Sequence, residues 1–215
     1  GPFRIASISP DALTLEAFTD YWSGVPDVER LIFRQAPELS SRIAGLVSGD
    51  FDIIADVPAD QFAPLEGNPD LEIVGGDVAS MRVVKFDTRN ETLADPRIRR
   101  ALSLAVDRQA LVDALWAGLV SIPAGHQLPS FGTLYDPDRA PYAFDPEEAA
   151  RLLTEAGYDG TPIPFRTRVA AYGPELATSQ VLMAMWEAVG FTIDLQIVEN
   201  FGQMIEYPGS GIRSG

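Results

Sequence analysis

Met81-Arg82-Val83-Val84-Lys85-Phe86-Asp87-Thr88, a short break, then Asp95-Pro96-Arg97-Ile98-Arg99-Arg100-Ala101-Leu102, continuing through Ala105-Val106-Asp107-Arg108 to Gly118, is the stretch whose reading decides the fold. Met81, Val83, Val84 and Phe86 give it the β-favouring, apolar character of a strand over Met81 to Thr88. Asp95 is a good helix N-cap, Pro96 occupies the first helical position, where a missing N–H does no harm, and Gly118 stands where a C′ glycine would. Ile98, Leu102, Ala105, Val106 and Val112 recur near the helical period, and Leu104, Leu111 and Leu115 widen the stripe. The pattern predicts one long helix, dipping where Asp107 and Arg108 interrupt it.

The same alternation extends in both directions. Upstream, Phe3 to Ile8 and Ala12 to Phe18 read as strands joined by the turn Ser9-Pro10-Asp11, and Val28 to Arg34 as a third. Tyr21 and Trp22, in the loop before the third strand, read as packing residues that pin it, with stacking on a ligand as the alternative. Ser40 to Gly49 reads as a helix with serine caps at its start, Phe51 to Asp56 as a buried strand, Ala59 to Leu65 as a short helix, and Leu71 to Val74 as a strand. Downstream, Asp145-Pro146-Glu147-Glu148 opens a helix that runs to Gly157. Pro164 to Ala170 is a strand and Glu175 to Val189 an amphipathic helix that buries Leu176, Val181, Leu182, Met185 and Trp186. Phe191 to Val198 closes the series as an alternating strand. Strand, helix and strand in this order imply an α/β fold, a mixed sheet with crossover helices. Between Ser121 and Pro146, five prolines and two glycines leave a long loop, which Phe131, Tyr135, Tyr142 and Phe144 mark as ordered and packed.

Composition removes several classes of function. The 215 residues carry a net charge of −15, so neither nucleic acid nor an anionic membrane is an expected partner. There is no cysteine and one histidine, His126, which excludes thiol nucleophiles, thiolate metal sites and multi-histidine zinc sites. Asp50, Asp52 and Asp56 lack the central glycine and terminal glutamate of an EF-hand and read as solvated acids. No metal or cofactor is expected. The most specific polar feature is Arg166 and Arg168 on one face of a strand. They form either salt bridges to some of the many acids or a fork for a ligand carboxylate, which a guanidinium matches bidentately.

The opening stretch resembles the most recognisable segment of the dipeptide, oligopeptide and nickel family of extracytoplasmic solute-binding proteins. Three further stretches match in order: Gly1-Pro2-Phe3 with Asp20-Tyr21-Trp22; Leu46-Val47-Ser48-Gly49-Asp50-Phe51-Asp52; and Tyr142-Ala143-Phe144-Asp145-Pro146-Glu147-Glu148-Ala149 with Leu152-Leu153-Thr154-Glu155-Ala156-Gly157-Tyr158. The resemblance implies a periplasmic-binding-protein-like lobe. Residues 1–215 are then expected to form most of the second, C-terminal lobe of a longer two-lobe protein, without its first lobe and its C-terminal return.

By the same resemblance the protein is a monomeric, periplasmic capture subunit of an ABC importer that closes two lobes on a peptide or peptide-like solute and delivers it to a membrane permease. It is not an enzyme. Arg168, with Arg166 and Tyr172, falls where dipeptide-binding members place the arginine for the ligand carboxylate, and the match leaves open which arginine it is. Ser80 and Met81 would face the cleft. Ligand identity stays open among a peptide, an opine, an oligosaccharide and a metal complex. A carboxylate-based hydrolase and a stand-alone α/β interaction domain are the alternatives, and saturable binding without turnover separates the first reading from both.

Overall fold

The computed structural model describes residues 1–75, 80–140, 142–169, 173–205 and 211–214, and the chain divides into two compact units, residues 1–57 and 58–215.

In the first unit, β1 (Phe3–Ile8), β2 (Ala12–Ala17) and β3 (Arg30–Arg34) form an antiparallel meander, with Phe3 opposite Ala17 and Ala12 opposite Arg34. The Ser9-Pro10-Asp11 turn closes as expected, the Ser9 hydroxyl donating to Asp11 Oδ1 at 2.7 Å. Helix α1 (Leu39–Ser48) ends on Gly49 at φ 83°, a left-handed position that suits glycine. Its start differs from expectation. Glu38 is the N-cap residue and provides no side-chain cap, so the serines lie inside the helix.

Phe51 to Asp56 is not a strand. The Phe51 N–H donates to the Gly45 carbonyl, and its ring lies where a Gly45 side chain would stand, so these residues close the end of α1 instead of joining a ladder. Trp22 does not pin its loop by burial either: it is 87% exposed, touching Tyr21 ring to ring at 5.4 Å.

The second unit holds a four-stranded mixed sheet in the order β4-β7-β5-β6. Its strands are β4 (Val84–Phe86), β5 (Ile163–Arg168), β6 (Ile193–Val198) and β7 (Ile212–Ser214). β5 runs parallel to β6 and β7, while β4 runs antiparallel to β7. The predicted strand over Met81 to Thr88 shrinks to three residues because β7 offers only three partners, and Leu71 to Val74 forms no strand.

A 3-10 turn at Ala59–Gln61 leads into α2 (Ala63–Glu66), and Asn90 caps the short α3 (Glu91–Ala94) inside the predicted break. The predicted long helix is broken in two. Asp95 caps α4 (Pro96–Leu104) through the Arg97 N–H, as read from sequence. Asp107 then caps a separate α5 (Arg108–Trp116), and Arg108 donates to the Ser103 and Val106 carbonyls where the two helices meet. The predicted dip is thus a full stop between two helices.

Beyond Gly118 the proline-rich stretch has a 3-10 turn at Pro129–Leu134, and the Gln127 amide clamps the Asp136 backbone through both its N–H and its carbonyl. The loop is ordered, but Tyr142 and Phe144 are half exposed, with Arg108 over the Tyr142 ring. α6 (Pro146–Glu155), capped by Asp145, and α7 (Glu175–Ala188) follow as predicted, and α8 (Phe201–Ile205) comes after β6.

The core gathers Leu93, Ile98, Leu102, Leu152, Phe165 and Trp186 from helices and sheet together. Trp186 meets Phe165 edge to face at 5.1 Å, and its indole N–H donates to the Leu102 carbonyl at 2.9 Å. Gly211 allows β7 to approach β5. At φ 92°, a Cβ there would stand 2.3 Å from the Pro164 carbonyl oxygen.

Candidate functional site

Parallel strands β5, β6 and β7 end on one edge of the second sheet, at Arg168, Val198 and Ser214, and antiparallel β4 starts from it. Open α/β sheets present ligands with the carboxyl ends of their strands, so this edge is the candidate site. The residues expected at the cleft fall on or beside it. Ser80 is exposed and Met81 half-buried just before β4, and Arg168 is the last residue of β5. Tyr172 lies outside the described residues.

The burial of β5 alternates along its length, with Ile163, Phe165 and Thr167 in the core and Arg166 and Arg168 on the opposite face, as the sequence indicated. The two arginines have different surroundings. Arg166 donates to Gln196 Oε1 at 3.1 Å and to the Gln203 carbonyl at 3.2 Å, tying β5 to β6 and α8. Arg168 keeps 22% of its side-chain surface exposed. Its guanidinium lies 5.8 Å from the Phe201 ring centroid, and its buried Nε has no hydrogen-bond partner among the described residues. Its Nη2 is 3.9 Å from Glu175 Oε2, so the salt-bridge reading holds for Arg168 as a loose pair.

Glu175 is the functional-site residue that sequence reasoning missed. It opens α7 and is 1% exposed. Its Oε1 accepts from the Ser214 hydroxyl at 2.8 Å, while Oε2 has no hydrogen-bond partner among the described residues. Thr167 Oγ1 lies 3.2 Å from Ser214 Oγ and 2.8 Å from Ser179 Oγ, and the Ser179 hydroxyl also reaches the Glu175 backbone carbonyl at 3.0 Å. Three buried hydroxyls therefore cluster beside one carboxylate. Arg82, half-buried just before β4, completes the group. Burial lowers its pKa, and the Glu175 charge opposes that shift.

The signal for Glu175 was present in the spacing. Glu175, Thr178, Ser179, Leu182 and Trp186 are the buried stripe of α7. Leu176, Val181 and Met185, expected on that stripe, are only partly covered. Reading apolar residues alone shifted the helix face by one position.

No group of acids or histidines among the described residues is arranged to hold a metal, and His126 is exposed. No helix among them is long and apolar enough to cross a membrane.

The chain matches the family described as bacterial extracellular solute-binding proteins, family 5 middle, over residues 1–209. It is 27% identical over 195 residues to heme-binding protein A of Haemophilus influenzae, covering 88% of this chain and 36% of that protein. It is 30% identical over 160 residues to the glutathione-binding protein of Salmonella paratyphi A, covering 74% of this chain and 31% of that one. The structure of a dipeptide-binding protein from Pseudoalteromonas sp. SM9913 superimposes with a TM-score of 0.82 at 21% identity, over 100% of this chain and 43% of the other, which establishes the fold as that of a periplasmic-binding-protein lobe. The chain spans about a third of the length of the two relatives.

Proposed function

Since the chain belongs to the family 5 bacterial extracellular solute-binding proteins, we propose that the whole protein is the substrate-binding component of an ABC importer. It captures a peptide or peptide-like solute in a cleft between two lobes and hands it, unchanged, to a membrane permease from outside the cytoplasm. Residues 1–215 supply most of the second lobe. Binding both walls of the cleft stabilises the closed form, so the ligand's own binding energy drives the closure that the permease recognises.

One observation carries the reading at residue level. Arg168 ends the central parallel strand at the sheet's carboxyl edge with 22% of its side chain exposed, and its approach to Glu175 at 3.9 Å is too long for a hydrogen bond. A ligand carboxylate would meet the exposed part of that side chain. Heme and glutathione, named for two relatives, both carry carboxylates. Ser80, Met81 and Tyr172 would line the same edge. Arg166, already bonded to Gln196 and the Gln203 carbonyl, supports the strand and takes the lesser part.

The test is native mass spectrometry of the full-length protein from an osmotic-shock fraction, before and after mild denaturation. One small molecule should be released unaltered and should rebind. Arg168→Ala should weaken rebinding by about 1.5 to 3 kcal/mol. Conversion of the released molecule on incubation would establish a hydrolase instead, and unaltered affinity would remove Arg168 from the site.

A further inference from the structure

Arg168 has one neighbour at the sheet edge that a ligand can reach and one that it cannot. The Glu175 carboxylate, 3.9 Å from Nη2, is buried and closed to solvent. Phe201 is 54% exposed, and its ring centroid lies 5.8 Å from the Arg168 guanidinium. Val198, in register with Arg168 on β6, shares its face of the sheet. Val169, the residue after Arg168, and Ile197, the residue before Val198, are exposed at the same edge. Large apolar side chains from the ends of β5 and β6 and from the start of α8 are thus left open around the candidate carboxylate contact, where exposed apolar surface marks binding.

We propose that Phe201 is a specificity-determining residue: with Val198 it gives the edge a preference for a carboxylate that carries an apolar side chain, such as a peptide ending in an apolar residue. The proposal rests on the reading of Arg168 as a carboxylate contact and adds the chemistry of the group beside that carboxylate. An ion pair at a part-exposed arginine is worth little alone, so the choice among carboxylates falls to what is attached to them. Those atoms come next to Phe201 and Val198, which have no donor or acceptor to offer, so a polar group brought against them loses water without gaining a partner. The ring meanwhile attracts the guanidinium without occupying its N–H donors, which stay available to the carboxylate.

The test follows the Arg168 Nε–Hε resonance of the nitrogen-15-labelled full-length protein, identified by its loss in Arg168→Lys. The probes are N-acetylglycine and N-acetylleucine, which share a carboxylate and an amide and differ by an isobutyl group, titrated at neutral pH and fixed ionic strength. In the wild type, N-acetylleucine should bind about tenfold tighter, the gain from covering part of that group. In Phe201→Ser the ratio should fall to about two or less. Phe201→Leu, which keeps an apolar side chain without the ring, should retain the preference.

If Phe201→Ser does not fold, Val198→Thr decides the matter: it keeps the shape, replaces a methyl by a hydroxyl, and should lower the ratio about threefold. A responsive Arg168 resonance with equal affinities in the wild type, or with an unmoved ratio in the deciding variant, overturns the apolar preference while leaving Arg168 as a carboxylate contact. A resonance that neither probe shifts in the wild type overturns both.

Discussion

Residues 1–57 and residues 58–215 show similar strand patterns in sequence, and they use them differently. The three strands of the first unit leave Ile5, Ile8, Ile32 and Phe33 exposed, and Gly45 is the one buried residue among its 57. The second unit buries both its helices and its sheet around Phe165 and Trp186. Alternating apolar residues make a strand in either place. A core forms only where a second layer is present to cover one face, and in the second unit α4, α6 and α7 supply it. The candidate edge therefore rests on a scaffold that holds its own geometry.

The largest expected effect tests that contrast directly. Trp186→Ala should destabilise the full-length protein by about 3 to 5 kcal/mol in urea unfolding, since it leaves a cavity and strands the Leu102 carbonyl. Ile32→Ser in the first sheet should change stability by less than about 1 kcal/mol if that face stays uncovered. A loss at Ile32 comparable to that at Trp186 would mean that other parts of the whole protein cover the first sheet, and the contrast would vanish.

Glycine gives a finer comparison. Gly211→Ala drives a Cβ against the Pro164 carbonyl oxygen at an unfavourable φ, and should lose roughly 2 to 3 kcal/mol. Gly49→Ala has the same backbone conformation with nothing within 4 Å, so only strain remains, about 1 kcal/mol. Equal losses would show that contact with Pro164 adds nothing.

Helix starts come next in size. Asp107→Ala and Asp145→Ala each remove a side-chain cap and should lower the thermal midpoint by the equivalent of about 1 kcal/mol. Glu38→Ala removes none and should be near neutral.

The smallest effect is an acid limb. The side-chain hydrogen bonds from Arg97, followed by its backbone N–H, hold the Asp95 carboxyl below its ordinary pKa. The folded state then binds this proton less readily than the unfolded chain. The stabilisation is complete above the unfolded value of about 4 and is lost as pH falls through the lower folded one. Asp95→Asn should flatten that part of the stability curve, and an unaltered slope would discount the interaction.

Much of the second unit was legible because its signals are local. Asp95 and Asp145 each announce a helix start within three residues, and β5 and β6 alternate plainly, whereas Asp107, read as a dip in one helix, caps a second. What failed depended on partners far along the chain. Phe51 to Asp56 and Leu71 to Val74 have strand composition, but nothing in a short window says whether a neighbour will pair with them. Arg166 and Arg168 could be placed on one face, but their separate fates required Gln196, Gln203 and Glu175. Glu175 itself was hidden because a helix face was judged by its apolar members, and its partner Ser214 comes from a strand 39 residues away.

The position of β7 has a consequence for how the second unit is made. Among the described strands it comes latest in the chain, yet it sits between β4 and β5. Until Ile212 to Ser214 leave the ribosome, β4 has no ladder partner and β5 presents a bare inner edge beside Phe165, the kind of template that invites pairing with another chain. Pairing of β4 with β7 is therefore a long-range event, slow for its topology. In pulse-labelled refolding, amide protection in β4 should appear no sooner than in β7, while α6 and α7 are protected earlier. The candidate edge, built from the ends of the same strands, then takes shape only once β7 has paired.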